Sequence, residues 1–276
     1  MRALKKGVCY GCIRVQGGAA DRLAAARAAG FDGVELSFAA PGAGPLTMEM
    51  EDAEIDALRA QVRSHNLQTP SLMCGALLRE APLLSADPEV RAQGVGNLRR
   101  GLRVASRIGA DTILVHPGQL RPSARYDAAF DALVAALRGL RPDLEATGVG
   151  LAIENVWNKF LLSPREMVEL VDAVDHPLVG AYFDVGNVMA FGYPQQWLRI
   201  LGPRVRRVHL KDFRVAGGGS AGFCQLMDGD VDWPEVASAL VAIGYDGYLT
   251  SEVGGVGLEQ TAERIDRIMA LLRPLA

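Results

Sequence analysis

Short, apolar, β-rich runs alternate with long segments rich in Ala, Leu and Arg along this chain. The β-rich runs end near Tyr10, Phe38, Cys74, His116, Asn155, Asp184, Lys211 and Glu252. The helical patterns cover residues 19–29, 53–65, 88–108, 128–147, 164–174, 195–201, 233–243 and 258–272. Regular alternation of this kind indicates parallel strands joined by right-handed crossovers, and eight such units close a barrel. We therefore predict an α/β protein that forms a single-domain (β/α)₈ TIM barrel over residues 1–276.

Three joints between a helical pattern and the following strand have the same character. Each has a glycine after the helical pattern, at Gly30, Gly109 and Gly244. Glycine readily adopts the left-handed conformation that ends helices. A doubly wound open sheet is the alternative fold. The glycine pair at 17–18 comes too late and has the wrong spacing for the dinucleotide fingerprint that such sheets carry after their first strand.

The charge balance and the short apolar runs argue against nucleic acid and membranes as partners. Lys and Arg number 29 against 32 Asp and Glu, for a net charge of -3. This balance gives neither a basic footprint for nucleic acid nor a cationic face for a membrane. Charges or glycines break the apolar runs, so we expect no signal peptide and no membrane span. Cys9 and Cys12 form a C-x-x-C without a second pair for zinc, and we interpret the cysteines as reduced thiols of a cytoplasmic protein.

Polar residues follow the predicted strands, and the carboxyl ends of the strands form the active face of such barrels. Strands five to eight end at Glu154, Asp184, His209 and Glu252. Three carboxylates and an imidazole on four consecutive strands suit Mn²⁺, Mg²⁺ or Co²⁺, and also Zn²⁺. Without a cation, the crowded carboxylates would repel one another. We therefore predict one divalent metal ion, with Mn²⁺ as the first choice.

The motifs around these residues resemble those of a known family. They are Ile153-Glu154-Asn155, Phe183-Asp184-Val185-Gly186-Asn187, Val208-His209-Leu210-Lys211-Asp212, Gly229-Asp230-Val231-Asp232-Trp233 and Ser251-Glu252. The chain resembles the xylose-isomerase-like TIM-barrel superfamily, and within it the sugar phosphate isomerase/epimerase branch. That branch contains L-ribulose/L-xylulose-5-phosphate 3-epimerases and D-tagatose/D-psicose 3-epimerases. The resemblance covers the whole chain and is densest between Glu154 and Glu252.

The resemblance implies a role for each matching residue. It implies one divalent metal ion held by Glu154, Asp184, His209 and Glu252. It implies that Glu154 and Glu252 also form the acid/base pair, and that Asn187 and Lys211 contact the substrate or support the ligands. The chain departs from the monosaccharide 3-epimerases, which have a histidine in place of Asn187 and a second glutamate that residues 156–160 lack. The Asp-x-Gly-Asn form is closer to the phosphate-ester branch.

These residues support proton transfer beside a carbonyl group. One carboxylate, Glu154 or Glu252, removes the proton, and the metal stabilises the enediolate that forms. Return of the proton from the opposite face gives an epimer, and its return to the neighbouring carbon gives an isomer. We therefore predict an isomerase or epimerase that acts on a small sugar or sugar phosphate.

Further residues are predicted to contact this substrate. Glu35 and His116, near the ends of strands two and four, are expected to orient hydroxyl groups, although Glu35 could instead cap the next segment. Lys211 and Arg214, beside the glycine run 217–219, are expected to bind a phosphate. An ion pair between Lys211 and Asp212 is the alternative. Trp157 is expected to form an apolar wall with Phe38.

Other functions and assembly states stay open at this point. An inosose-dehydratase-like lyase shares the proton abstraction but expels a hydroxyl group. An endonuclease IV-like nuclease uses three metals and therefore needs more histidine ligands than the four in this chain. A barrel that only binds ligands would lack some of the metal-binding residues. Relatives of this kind often form homodimers or homotetramers, and the Ala/Leu-rich helices permit either.

Overall fold

Eight parallel strands form a closed ring in the computed structural model, which describes residues 4–255 and 257–272. The ring strands, labelled β1 to β8, are Lys5–Cys9, Gly33–Ala39, Leu72–Met73, Thr112–Val115, Gly150–Glu154, Val179–Asp184, Val205–Leu210 and Tyr248–Ser251. Each strand pairs with the next, and β8 pairs in parallel with β1. The predicted TIM barrel is confirmed, and the open sheet is wrong. The predicted domain also includes residues 1–3, 256 and 273–276, which lie outside the described residues.

Helices connect the strands. The longer ones are Ala19–Ala28, Asp52–Ser64, Pro88–Ile108, Tyr126–Arg138, Arg141–Thr147, Pro164–Val174, Pro194–Leu201, Trp233–Ala242 and Leu258–Leu272, and the short ones are Ala76–Arg79 and Val185–Val188. The single helix predicted over 128–147 is two helices. Pro142 has no N–H to bond the carbonyl four residues earlier, so the first helix cannot continue through it. Within the described residues, no helix combines the length and apolar character that crossing a membrane requires.

Local sequence sets many helix ends. The Asp87, Ser163 and Asp232 side chains accept hydrogen bonds from backbone N–H groups in the first turns of their helices. Such caps satisfy donors that have no partner within the helix. At the other end, the glycines predicted at the helix-to-strand joints all have positive φ, at Gly30, Gly109 and Gly244. The prediction for these three joints is therefore confirmed.

The loop after β7 contains regular structure, although its glycine run is typical of a flexible loop. Asp212–Phe213 pairs antiparallel with Phe223–Cys224, and two short 3₁₀ turns lie between these segments. The buried Asp212 carboxylate accepts hydrogen bonds from the backbone N–H groups of Phe213 and Met227 and from the Trp233 indole. The Asp212 carboxylate therefore uses its hydrogen bonds to hold this loop together. The alternative ion pair with Lys211 is wrong, because Lys211 turns towards other carboxylates.

The ring is packed on both sides of its strands. A large apolar cluster packs against the helices. A second, smaller cluster contains Leu114, Ala152 and Tyr182, with the partly buried Met73 beside it. Strand side chains alternate between the two faces of a sheet, so the inward positions of neighbouring strands meet within the ring. This arrangement brings polar side chains from distant parts of the sequence into contact.

Candidate metal centre and active site

The four predicted metal ligands meet where β5 to β8 end. Glu154 and Asp184 are the last residues of β5 and β6, His209 is in β7, and Glu252 follows β8. One potential ligand atom from each residue lies within 4.8 Å of the others. His209 Nδ1 lies 3.0 Å from Glu252 Oε2, 3.8 Å from Glu154 Oε1 and 3.9 Å from Asp184 Oδ2. Parallel strands of one barrel thus bring together residues that are 98 positions apart at the extremes, from Glu154 to Glu252.

The converging atoms have the properties of a cation site. Asp184 Oδ2, His209 Nδ1 and Glu252 Oε2 are buried, and their near neighbours among the described residues are one another, Glu154 and the Lys211 ammonium. Burial of several charged groups together is costly unless opposite charges compensate them. Lys211 Nζ lies 3.0 Å from Asp184 Oδ2 and 2.8 Å from Glu252 Oε2. One ammonium group does not balance three carboxylates, so this set of oxygen and nitrogen donors fits a divalent cation.

A buried carboxylate orients the histidine of this set. Glu35 Oε2 lies 2.7 Å from His209 Nε2, and both side chains are fully buried. The other Glu35 oxygen accepts hydrogen bonds of 2.6 Å from the Ser71 and Tyr182 hydroxyls. A carboxylate at Nε2 keeps a proton on that nitrogen, so Nδ1 would offer its lone pair to a cation held by the other three ligands. Burial raises the pKa of the neighbouring Cys9 thiol, which therefore stays protonated.

The predicted role of Glu35 at the substrate is therefore wrong. Strand β2 continues to Ala39, four residues beyond Glu35, so Glu35 is not the end of its strand. Its carboxylate has no exposed surface and bonds to groups inside the ring. It does not cap the following segment either. Glu35 is a positioning residue for His209.

The two glutamates of the centre have opposite electrostatic environments. Burial raises the pKa of Glu154 to about 7. Burial also acts on Glu252, but the charges and hydrogen bonds of His209 and Lys211 outweigh it and lower the pKa of Glu252 to about 2. A cation between the carboxylates would lower both values. Without a cation, the protein groups alone hold a proton more readily on Glu154 than on Glu252.

Asn187 supports two of the ligands from the turn after β6. Its backbone N–H donates to Asp184 Oδ1 over 2.7 Å. Its side-chain amide donates to Asn155 O over 3.0 Å and reaches Glu154 Oε1 at 3.4 Å. Asn187 thus fixes the Asp184 carboxylate and lies beside Glu154, as well as lining the cavity over them.

A cavity of about 640 Å³, a size typical of small-molecule sites, opens beside the ligand centre and is lined by Glu154 and Glu252. His116 lines it, and its Nδ1 accepts a 3.2 Å hydrogen bond from the Gly118 N–H. Because Nδ1 is an acceptor here, the proton of the neutral ring is on Nε2. Burial lowers the pKa of His116, which favours this neutral form.

Trp157 forms an aromatic wall of the cavity, but with different partners from those predicted. Its ring stacks on Phe223 at 5.1 Å between centroids and meets Phe213 edge-on at 5.7 Å. Its indole N–H donates to Asn187 O over 2.8 Å. The predicted pairing with Phe38 is wrong, because Phe38 lies in β2 and is buried in the core against the helices.

The cavity lining also contains residues that sequence reasoning missed. They are Arg79, Gln119 and Arg121. The signal for Gln119 and Arg121 was their position directly after β4, beside His116. Arg79 ends a short helix after β3 and carries no such signal. Arg214 lines an adjoining cavity with Lys211 and Glu252, and its Nε donates to Asp228 O.

Fold and site together define a class of protein, the closed (β/α)₈ barrels with a metal-type ligand set at the carboxyl ends of strands five to eight. The chain belongs to the xylose isomerase-like TIM barrel family, whose model matches residues 23–275. This membership confirms the predicted superfamily.

Characterised relatives include epimerases. The chain is 34% identical over 199 residues to a 2-epi-5-epi-valiolone 7-phosphate 2-epimerase from Actinoplanes sp., which covers 71% of this chain and 68% of the relative. It is 26% identical over 269 residues to the L-ribulose-5-phosphate 3-epimerase UlaE of Salmonella paratyphi A, covering 96% and 89%. Other matches are partial: the chain spans 59% of an uncharacterised protein of Methanocaldococcus jannaschii and 34% of a 3-oxo-isoapionate decarboxylase of Pectobacterium atrosepticum.

Solved structures share the fold over nearly the whole chain. A D-tagatose 3-epimerase-like protein superposes with a TM-score of 0.82 at 18% identity, covering 98% of this chain and 99% of its own. The IOLI protein with a bound zinc atom gives 0.80 at 16%, covering 99% of each. A family member from Mycobacterium smegmatis in complex with magnesium gives 0.77 at 19%, covering 100% of each.

Proposed function

We propose that the protein is a metal-dependent epimerase or isomerase that acts on a small ketose or ketose phosphate by proton transfer through an enediolate. The observation that carries this proposal is the pairing of Glu154 and Glu252. The two carboxyl groups share one ligand centre and line one cavity, but their environments push their pKa values apart. Such a pair can remove a proton at one side of a substrate and supply one at another.

The ligand set fits one divalent cation held by Glu154, Asp184, His209 and Glu252. We propose Mn²⁺ first, with Mg²⁺, Co²⁺ and Zn²⁺ as alternatives. When bound, the cation polarises the substrate carbonyl and offsets the negative charge that develops on the enediolate. The convergence of buried carboxylate and imidazole atoms at one point supports this assignment, as do the magnesium and zinc in two structural neighbours.

The protein groups divide the proton transfer between them. Glu252, which stays ionised, and Glu154, which holds a proton more readily, are the two groups that remove and return the proton beside the carbonyl. Their strands β5 and β8 are separated by β6 and β7 in the ring, so the two groups approach a substrate from different directions. Delivery from a different direction inverts the carbon, which favours epimerisation over isomerisation, and two of the sequence relatives are epimerases.

The surrounding residues orient the substrate for this transfer. Lys211 holds its ammonium between Asp184 and Glu252 and keeps Glu252 ionised. His116 offers its Nε2–H to a hydroxyl group. The ring of Trp157 covers an apolar face of the sugar and limits the access of water.

Solvent-hydrogen exchange tests the proposal. The Mn²⁺-loaded protein is incubated in D₂O with ketopentoses, ketohexoses and their phosphates, and deuterium uptake is followed by NMR. We expect uptake beside the carbonyl, slower by about 10²–10⁴-fold in Glu252→Gln and in Glu154→Gln. Glu169→Gln, an exposed glutamate on Pro164–Val174, is the matched control and keeps the wild-type rate. The position of the label and the product separate an epimerase from an isomerase.

A lyase is the second candidate, because the raised pKa of Glu154 also suits protonation of a leaving hydroxyl group. An absence of uptake from every sugar, with Mn²⁺ bound, would overturn the isomerase proposal. Loss of water from an inosose-type ketone in the same assay would then establish the lyase.

A further inference from the structure

Two arginines, Arg79 and Arg121, line the cavity that also contains Glu154 and Glu252. Arg79 ends the short helix Ala76–Arg79, Arg121 follows β4, and both line the cavity. The acidic residues of the lining, Glu154 and Glu252, belong to the ligand centre. Neither guanidinium makes an ion pair or hydrogen bond with a residue that the structure describes.

Some other arginines of the chain are bonded to carboxylates. Arg107 bonds Asp52 and Asp56, and Arg204 bonds Asp172 through two nitrogens. Arg79 and Arg121 are exposed, line the same cavity and have no such acidic partner among the described residues, so their guanidinium groups are free to bind an anion that enters it.

Several groups predicted to bind a phosphate after β7 already make internal bonds. Lys211 Nζ is held by the Asp184 and Glu252 carboxylates. Arg214 Nε donates to a backbone carbonyl. The N–H groups of Gly217 and Gly218 donate to carbonyls within their own turn. The glycine run therefore does not present these N–H groups to a ligand.

We propose that the substrate carries a terminal anionic group, a phosphate monoester or a carboxylate, which binds to Arg79 and Arg121 while the carbonyl end lies at Glu154 and Glu252. This inference rests on the proposed function. The planar guanidinium group donates pairs of hydrogen bonds that match both anions. A neutral sugar would gain nothing from the charge of these two exposed arginines.

Phosphate binding tests the arginine site without any turnover. Inorganic phosphate is titrated into the metal-loaded protein by calorimetry. We expect Arg79→Gln and Arg121→Gln each to weaken binding by about 10- to 100-fold, the loss expected for hydrogen bonds to a charged group. Arg103→Gln removes an exposed arginine that does not line the cavity, and it leaves the affinity unchanged. Equal affinity in all three variants would overturn the site.

Exchange kinetics then identify the anion. Matched neutral, phosphorylated and carboxylate-bearing ketoses are compared in the D₂O assay. We expect the two arginine variants to raise KM about 10- to 100-fold for one anionic substrate, with kcat preserved and the neutral sugar unaffected. The better anion in the wild type distinguishes phosphate from carboxylate. Exchange with an unchanged KM in both variants would overturn this inference and leave the proposed function intact. Absence of exchange from every ketose would overturn the function, and the phosphate titration would still decide the arginine site.

Discussion

His209 takes its orientation from a carboxylate that solvent does not reach. Glu35 is held by Ser71 and Tyr182 on one oxygen and faces the imidazole with the other. The hydroxyl groups thus fix the Glu35 carboxylate, which in turn fixes the His209 imidazole at the ligand centre. Partners of this kind contribute to metal affinity because they fix the ring and raise its basicity.

We predict that Glu35→Gln weakens metal binding. The amide keeps the shape of the side chain but removes the negative charge beside His209 Nε2, so affinity should fall by about 10- to 100-fold. Calorimetric titration with Mn²⁺ measures the change. Ser71→Ala is the control, because it removes one bond to Glu35 but leaves the carboxylate beside the imidazole. Wild-type affinity in Glu35→Gln would show that His209 needs no such partner.

His116 gives a prediction for the effect of pH. Burial lowers its pKa below the ordinary value in the folded protein, so the unfolded chain binds this proton more readily. The contribution of the neutral ring is fully present above about pH 6.5, the ordinary pKa of histidine, and is lost as pH falls from there through the lowered folded value. In His116→Asn, which keeps an acceptor for the Gly118 N–H, urea unfolding should show less of this acid sensitivity. Direct NMR titration of His116 with a midpoint at or above 6.5 would contradict the prediction.

The ligands were accessible to sequence reasoning because each of them stands at or near the end of its strand. Glu35 was not, because its role depends on a contact with a residue 174 positions later and on the register of β2 within the ring. The arginines of the cavity wall were missed for a similar reason. The packing of the closed ring decides which loop side chains line the cavity, and a linear pattern does not reveal that packing.

The turn after β6 packs tightly against β7. Gly186 begins this approach: a Cβ at that position would lie 2.5 Å from the Lys211 Cβ and 3.1 Å from its carbonyl carbon. The same turn contains Asp184, whose carboxylate caps it, and Asn187. Packing, ligand geometry and the placement of Lys211 therefore depend on one glycine.

We predict that Gly186→Ala destabilises the protein by about 1–3 kcal/mol, the usual cost of overpacking, and also weakens metal binding. Chemical unfolding and Mn²⁺ titration measure the two effects. Gly96→Ala is the matched control, because a Cβ there meets nothing within 4 Å on the exposed face of Pro88–Ile108. It should stabilise the helix by about 0.5–1 kcal/mol and leave metal affinity unchanged. Equal stability of the two variants would contradict the packing argument.

The regular elements were predictable because the alternation of strand and helix repeats eight times. The departures occur where local features interrupt the pattern. Pro142 divides one predicted helix, and β3 is reduced to Leu72–Met73. The short pairing of Asp212–Phe213 with Phe223–Cys224 was not predicted, because the loop between them is dominated by glycine. The Asp212 bonds that organise it include partners 15 and 21 positions later, which no local pattern indicates.

At the scale of the whole molecule, we predict that metal binding stabilises the fold. The centre concentrates three carboxylates at one point of a buried surface, and a cation that binds only the folded state removes their repulsion. With metal at 100 times its Kd, the gain should be about 2.7 kcal/mol. For a chain of this size, that corresponds to roughly 5–10 °C in Tm. Thermal unfolding with and without EDTA measures the difference. Glu252→Gln should show a smaller shift, and an unchanged Tm after chelation of the wild type would contradict the prediction.

The pairing of β8 with β1 has a consequence for the order in which the protein is made. Three ligands are synthesised on β5 to β7, but Glu252 follows the strand whose pairing with the first strand closes the ring. A nascent chain that has not yet produced β8 therefore holds an incomplete ligand set on an open sheet. The strand that closes the ring is therefore also the one that supplies the last ligand, so a cation bound to all four residues would stabilise the closed barrel.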